Sequence, residues 1–181
     1  MKIETKRLLI REISFNDVDD FLEYSSSPDV GPNAGWKPIS DIELARRIIA
    51  GDILKKNVFS IVLKEKNKMI GTVSIYQENC LRRIKQVRQL GFSLSDKYWN
   101  NGYMTEALKG VIKYIFDNTD AKVIEVGHHS DNLRSKRVIE KLGFIYDGRI
   151  CMFKKLYDGR LIDADFYSMT KDDYERIKKY E

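Results

Sequence analysis

The sequence predicts a single-domain α+β or α/β fold built on one central sheet. Strand-type and helix-type hydrophobic periods alternate along 181 residues with no repeat, low-complexity tract or Pro/Ser-rich linker. Their order reads strand, two helices, three strands, helix, strand, helix, two strands, a mixture that suits one sheet covered by helices. With 43% hydrophobic and 33% charged residues, 11 Gly and 3 Pro, the chain can bury a sizeable core, which excludes a collagen-like or disordered class.

Ile3 to Arg11 reads as the first strand. Ser14 and Asp17 then mark a helix start, the serine placed to accept an orphan backbone N–H. A second helix opens at Ser40, with Glu43 three positions on as a capping box and an apolar face of Ile42, Ala45, Ile48, Ile49 and Ile53. Between them Pro28 to Pro38, which holds Gly31, Pro32, Gly35 and Trp36, reads as a loop near something functional. Val58 to Leu63 and Met69 to Tyr76 form a hairpin around the polar turn Glu65-Lys66-Asn67-Lys68, and Val87 to Leu94 is the next strand. Met104, Ala107, Leu108, Val111, Ile112, Ile115 and Phe116 keep the i, i+3, i+4 spacing of an amphipathic helix. Lys122 to Gly127 is a strand, and Asp131 to Leu142 a helix ended by Gly143 in the left-handed position. Ile150 to Tyr157 and Leu161 to Met169 flank Asp158-Gly159, a pair suited to a two-residue hairpin turn.

With 32 Lys and Arg against 27 Asp and Glu, the net charge is +5, which points to an anionic partner without naming it. No apolar run approaches the ~20 residues that cross a bilayer, and Met1 to Arg11 lacks the apolar stretch of a signal peptide, so a soluble, cytoplasmic protein with no membrane partner is expected. Cys80 and Cys151 are too few for a disulfide framework and lack ligand spacing, and His128 and His129 are the only histidines; no metal is expected.

The chemistry concentrates in Gln89 to Leu108, where a strand gives way to a short polar loop and Gly102 opens the long amphipathic helix. Orphan amides at a helix N-terminus and the helix dipole favour an anion, and glycine lets a phosphate approach the backbone. One glycine before a helix is more commonly an ordinary turn. The stretch lacks the three glycines of a dinucleotide fingerprint and the Gly-Lys-Ser/Thr ending of a nucleotide-triphosphate loop, which argues against those enzymes.

Three segments carry a resemblance across nearly the whole chain. They are Glu4-Thr5-Lys6-Arg7-Leu8-Leu9-Ile10-Arg11; Leu90-Gly91-Phe92 with Tyr98-Trp99-Asn100-Asn101-Gly102-Tyr103-Met104-Thr105-Glu106-Ala107; and Asn132-Leu133-Arg134-Ser135 with Glu140-Lys141-Leu142-Gly143-Phe144. In this order the chain resembles the GNAT superfamily of N-acetyltransferases, within it the branch of ribosomal-protein alanine N-acetyltransferases. The resemblance implies one N-acetyltransferase domain over 1–181. Its sheet would be mixed, mostly antiparallel and twisted, with helices on both faces. Two central parallel strands, Val87 to Leu94 and Lys122 to Gly127, would splay to leave a slot for the pantetheine arm of acetyl-CoA. Phe92, Ser93 and Leu94 would offer backbone groups to pantetheine and polarise the thioester carbonyl. The amides of Asn100, Asn101, Gly102, Tyr103, Met104 and Thr105 would hold the pyrophosphate, Asn132 the pantetheine arm, and Ser135 would lie near the sulfur. Lys97, Arg134, Lys136 and Arg137 either meet the outer phosphate or form a solvated face.

In that family a free amine attacks the thioester within a ternary complex, a base takes its proton and an acid protonates the departing thiolate. The position many members give to an acidic tyrosine is Ile139 here, leaving Ser135 as the replacement acid, although a serine at that place also suits backbone bonding. The glutamate many carry two residues ahead of the strand glycine is Gln89. An α-amine, with a reference pKa of about 7.7–8.0, needs less help from a base than a lysine at about 10.4. The expected acceptor is therefore a protein N-terminus or an amino-acid-like small molecule.

Glu106 is either a base or a helix-start carboxylate that favours the dipole. Trp36 and Tyr76 are candidates to wall the acceptor pocket, with core packing the alternative. His128 and His129 either relay protons or form a polar strand end. Cys151 falls in an expected core strand, which speaks against covalent catalysis. Two further functions compete: a GNAT fold that binds acyl-CoA without efficient turnover, and a nucleic-acid module gripping phosphates through Leu81 to Arg88, a run that alternatively docks an acidic protein partner. Both a monomer and a homodimer are compatible with the sequence.

Overall fold

The alternating residues at the start of the chain form two strands rather than one. In a computed structural model, which describes residues 1–77 and 80–179, β1 (Lys2–Glu4) and β2 (Leu8–Glu12) pair antiparallel with Ile3 opposite Ile10. The single strand expected from Ile3 to Arg11 is broken at Thr5. Its amide donates to Leu8 O at 2.9 Å, and its Oγ1 accepts from the Leu8 amide at 3.0 Å. The helix expected at Ser14 opens with a 3-10 turn, Phe15–Asp17, in which the Asp17 carboxylate accepts from the Ser14 amide at 2.9 Å, and continues as α1 (Val18–Ser25).

The expected loop from Pro28 to Pro38 contains a short helix, α2 (Gly31–Ala34), stopped by Gly35 at φ +87°. α3 (Ile42–Lys55) is capped by Asp41, not Ser40: the Asp41 carboxylate accepts from the Glu43 amide at 2.8 Å. A carboxylate suits the positive end of a helix better than a hydroxyl does. β3 (Val58–Leu63) and β4 (Lys68–Tyr76) form the expected hairpin, closed by a 3-10 turn and Asn67 at φ +45°.

β5 (Val87–Leu94), α4 (Tyr103–Asn118), β6 (Val123–His129) and α5 (Leu133–Lys141) follow, β6 running two residues past the expected end at Gly127. β7 (Ile145–Lys155) starts well before the expected Ile150, and it pairs with β8 (Leu161–Thr170). Between them the Leu156 amide donates to Arg160 O at 2.8 Å and the Gly159 amide to Leu156 O at 3.0 Å. The turn is therefore a three-residue loop rather than the expected two-residue one, with Gly159 at φ +91°. α6 (Lys171–Lys178), which the sequence pattern did not anticipate, is capped by Thr170, whose Oγ1 accepts from the Asp173 amide at 3.1 Å.

The strands form one sheet in the order β1-β2-β3-β4-β5-β6-β8-β7. The β1–β2, β2–β3, β3–β4, β6–β8 and β7–β8 pairs are antiparallel, and β5–β6 is parallel. The parallel register runs from Val87 opposite Val123 to Leu90 opposite Val126, short of the ends of both strands.

By internal packing the chain divides into two compact units. The first comprises Met1–Ser74 and Phe92–Gly110. Its core joins Val18, Phe21 and Tyr24 of α1 to Ala45 and Ile49 of α3 and to Val58 and Met69, with Trp36 and Trp99 packed against it. Each buried Val, Ile, Phe or Met among them contributes about 1.5–3 kcal/mol. β4 and β5 approach closely at Gly71, where a Cβ would lie 2.3 Å from Ser93 O. The β3–β4 register shifts beside it, and the carbonyl of Ile70 accepts from the Ser95 amide at 2.8 Å. That bond fixes where β5 ends and its loop begins.

The second unit comprises Ile75–Gly91 and Val111–Glu181. Its buried residues include Val111, Ile115 and Phe116 of α4, Ile124 and Val126 of β6, Ile139 of α5 and Met169 of β8. Phe116 stacks on Tyr174 of α6, with ring centroids 5.1 Å apart. Among the described residues no helix is long and apolar enough to cross a membrane.

Candidate functional site

In the first unit the end of β5, the loop after it and the first turn of α4 form one braced piece. The buried Ser93 hydroxyl lies 2.9 Å from Thr72 Oγ1, which is itself 3.4 Å from the Tyr24 hydroxyl, so three hydroxyls tie β5 to β4 and α1. Trp99 donates its indole N–H to Leu94 O at 2.9 Å, and the Asn101 side-chain amide donates to Trp99 O at 2.8 Å. Asn100 at φ +62° and Gly102 at φ +74° both adopt the left-handed conformation, which turns the backbone sharply into the helix. The first helical bond runs from the Glu106 amide to Gly102 O at 3.0 Å. The amides of Tyr103, Met104 and Thr105 precede that bond, so they have no acceptor within the helix and lie at its positive end.

Arg7 holds this turn from the β1–β2 side. Its Nη1 donates to Asn101 O at 3.0 Å, its Nε to Glu106 Oε2 at 2.6 Å, and its guanidinium carbon sits 4.2 Å from the Tyr103 ring centroid. Glu106 also accepts from the Thr5 hydroxyl at 2.6 Å and the Arg7 amide at 2.7 Å. Burial pushes the Glu106 carboxyl up, but the Thr5 and Arg7 donors outweigh it and hold the group below its usual range. A carboxylate with its oxygens so occupied anchors a helix. It is no proton acceptor for a substrate.

In the second unit Asn132 caps α5: its Oδ1 accepts from the Ser135 amide at 3.1 Å, while its own amide donates to His129 O at 2.7 Å. Ser135 is half-buried in the first turn, with its amide rather than its hydroxyl serving the cap. Ile139 is fully buried among core side chains. Gln89 stands opposite Glu125 in the parallel ladder.

Glu125 was not singled out by sequence reasoning. Buried on β6, it accepts from the Leu81 amide at 2.9 Å, the Arg82 amide at 2.9 Å and Arg82 Nη1 at 3.0 Å. Arg82 also meets Asp147 and the Ser168 hydroxyl, each at 3.0 Å, and Arg88 is buried against Asp120 at 2.6 Å. The basic run from Leu81 to Arg88 is therefore not a row of open charges, because two of its arginines are spent on internal carboxylates. Only the surrounding Asp and Glu partners, remote in sequence, distinguish this from a phosphate-gripping patch.

Other expected residues are placed as follows. Lys97 pairs with Glu23 at 2.7 Å and Lys136 with Glu140 at 3.8 Å, so both cations have carboxylate partners. Trp36 packs on the core of the first unit, and Tyr76, 39% exposed at the end of β4, belongs to the second. Cys151 is exposed rather than core, because β7 is the last strand in the sheet order. His128 is buried on β6, and burial lowers the pKa of its neighbour His129. Thus Phe92, Ser93, Leu94 and Asn100 to Thr105 come together in one unit, and Asn132 and Ser135 in the other.

Residues 7–145 match the family model described as an acetyltransferase (GNAT) domain. The chain belongs to the GNAT acetyltransferase family. It is accordingly an acyltransferase, and the family uses acetyl-CoA. Among relatives it is 29% identical over 175 residues to the uncharacterized N-acetyltransferase p20 of Bacillus licheniformis, covering 94% of this chain and 96% of that protein. Among solved structures a GNAT-family acetyltransferase from Bacillus anthracis matches with a TM-score of 0.85 at 24% identity, over 95% of this chain and 99% of that one. RimL, described as a ribosomal L7/L12 alpha-N-protein acetyltransferase and solved in complex with coenzyme A, matches with a TM-score of 0.79 at 18% identity, over 96% of this chain and 99% of that one. The GNAT fold expected from the three motifs is thus the fold observed.

Proposed function

We propose that this GNAT domain transfers acetyl from acetyl-CoA to an α-amine, a protein N-terminus or an amino-acid-like molecule, by direct attack in a ternary complex. The observation that carries the reading is the backbone turn at Asn100 and Gly102 leading into α4. Two left-handed residues followed by free first-turn amides make a concave set of N–H donors, suited to the pyrophosphate of CoA without any side-chain cation. Ser93 and Leu94 are held by Thr72, Gly71 and Trp99, which preorganises the end of the strand so that the remaining backbone groups of Phe92, Ser93 and Leu94 take pantetheine and polarise the thioester carbonyl.

Asn132, whose Oδ1 caps α5, stands at the pantetheine arm in this reading, and Ser135 offers its hydroxyl to the departing thiolate. The whole chain acts in this reading as one catalytic domain. The α-amine preference rests on chemistry: Gln89 is no base, Glu106 and Glu125 are committed to internal donors, and an α-amine is already partly deprotonated near neutrality. RimL, an alpha-N-protein acetyltransferase by description, acts on the same acceptor class. Release of CoA thiol from acetyl-CoA with an alanyl peptide bearing a free N-terminus tests the proposal. No thiol release with any α-amine in a panel of peptides and amino acids would sink it.

A further inference from the structure

We infer that His128 is the base that takes a proton from the acceptor amine, through its Nε2 atom. The inference rests on the acetyl-transfer reading above and fills the role that Gln89 leaves vacant.

His128 is only 6% exposed, and its Nδ1 lies 2.7 Å from the carbonyl oxygen of His129. A carbonyl only accepts, so Nδ1 carries the hydrogen, which in the neutral tautomer leaves the ring's lone pair at Nε2. The same His129 oxygen accepts from the Asn132 amide at 2.7 Å, which ties the ring's orientation to the loop that caps α5 and leads to Ser135. Nε2 itself is buried and has no hydrogen-bond partner among the described residues. An acceptor left so carries an uncompensated desolvation cost, which a bound ligand's N–H would remove.

The groups packed around the ring come from β7, β8 and α5 as well as from its own strand. Tyr167 of β8 lies with its ring centroid 5.6 Å from the imidazole, and Asp165 of β8 stands opposite His128 in the register. Arg149 of β7 is bidentate on Asp165 at 2.8 and 3.0 Å, and the Tyr146 hydroxyl donates to the same carboxylate at 3.3 Å. Both nearby donors are thus committed to Asp165, whose carboxyl the Arg149 guanidinium holds below its usual range. Glu140 of α5 acts on Tyr167, and His129 and Asp131 complete the titratable groups on the strand end and its loop.

In the reaction the acceptor ammonium gives one proton to Nε2, which frees the nitrogen lone pair. That pair forms the N–C bond at the thioester carbon. The C–S bond then breaks with its electrons going to sulfur, and the second nitrogen proton reaches the thiolate by way of Ser135. The products are amide and CoA thiol, and Nε2 returns its proton to solvent.

His128→Asn tests this, because the asparagine amide still donates toward His129 O but nothing replaces Nε2. At pH 7 kcat/KM for an alanyl peptide should fall by about 100-fold, within the range for a lost general base. The affinity for CoA should stay within twofold of wild type, and the deficit should shrink as pH rises toward the amine's own pKa of about 7.7–8.0. A variant within threefold of wild type, or a deficit equal at every pH, overturns the assignment. ¹⁵N NMR of the imidazole in the CoA complex supplies a readout apart from turnover: Nε2 should appear as a bare nitrogen and shift when the alanyl peptide is added. Thiol release by wild type with an unresponsive Nε2 overturns the His128 role alone. No thiol release by wild type overturns the acetyl-transfer reading, and the base role with it.

Discussion

Arg7 Nε lies 2.6 Å from Glu106 Oε2, and the same guanidinium faces the Tyr103 ring, so the β1–β2 turn is bolted to the first turn of α4. Residues 99 apart in sequence thereby fix the loop whose amides would meet the CoA pyrophosphate. Glu106→Gln should lower unfolding stability by about 2 kcal/mol, the cost of weakening hydrogen bonds to a charged, largely buried group. Urea denaturation measures this. The folded-state pKa of Glu106 is depressed, so its contribution is present above the unfolded value of about 4.3 and is lost as pH falls through the folded one. The gap between variant and wild type should therefore narrow in acid. The pH profile of kcat should keep its shape, whereas a catalytic Glu106 would lose its acid limb on substitution.

Gly102→Ala separates backbone geometry from packing. A Cβ there meets only Arg7 Nη2 at 3.6 Å, an ordinary contact, so the cost comes from holding alanine at φ +74°. That cost is about 1–2 kcal/mol in stability. The dissociation constant for CoA, read by calorimetry, should rise about tenfold or more as the methyl obstructs the phosphate's approach to the backbone. Unchanged CoA affinity in a folded variant would remove Gly102 from the site.

Ser135→Ala probes the thiolate's proton. The amide of Ser135, not its hydroxyl, serves the Asn132 cap, so stability should change by less than about 0.5 kcal/mol. If the hydroxyl delivers the proton, kcat should fall by about 100-fold while CoA affinity is unchanged. Single-turnover thiol release distinguishes this from slowed product dissociation.

The strands, the long helix and the left-handed turn before it are legible in the sequence because each rests on local information. Met104 to Phe116 keep one helical period, and Gly102 and Gly143 sit where positive φ is required. The break at Thr5 is not visible in that way, since it depends on one side chain closing a turn onto Leu8. The Asp158-Gly159 loop is misjudged by a single residue because the pairing of Leu156 with Arg160, rather than the Asp-Gly pair alone, sets its length. The roles of Glu106, Glu125 and Arg82 are the least legible. Each is decided by partners tens of residues away, and no local pattern records a three-donor carboxylate.

Arg82 and Arg83 are adjacent in sequence but should behave differently. Arg82 bridges Glu125, Asp147 and Ser168, so Arg82→Ala leaves the buried Glu125 carboxylate short of a cation and should cost about 3 kcal/mol. Arg83 is exposed, and its replacement by alanine should cost less than about 0.5 kcal/mol. Thermal melts of the two variants check the contrast. Salt-sensitive RNA binding abolished by Arg83→Ala would restore the phosphate-gripping reading of the run.

The central claim is acetyl transfer to an α-amine, and a comparison of two amines tests it most directly. Acetyl-CoA is supplied at pH 7 with an alanyl peptide bearing a free N-terminus and, separately, with the same peptide N-terminally blocked and carrying one lysine. Initial thiol release gives kcat/KM for each. The difference in reference pKa alone makes the reactive α-amine fraction a few hundred times larger, and kcat/KM should favour the free N-terminus by at least that order. Equal or faster acetylation of the lysine would contradict the account.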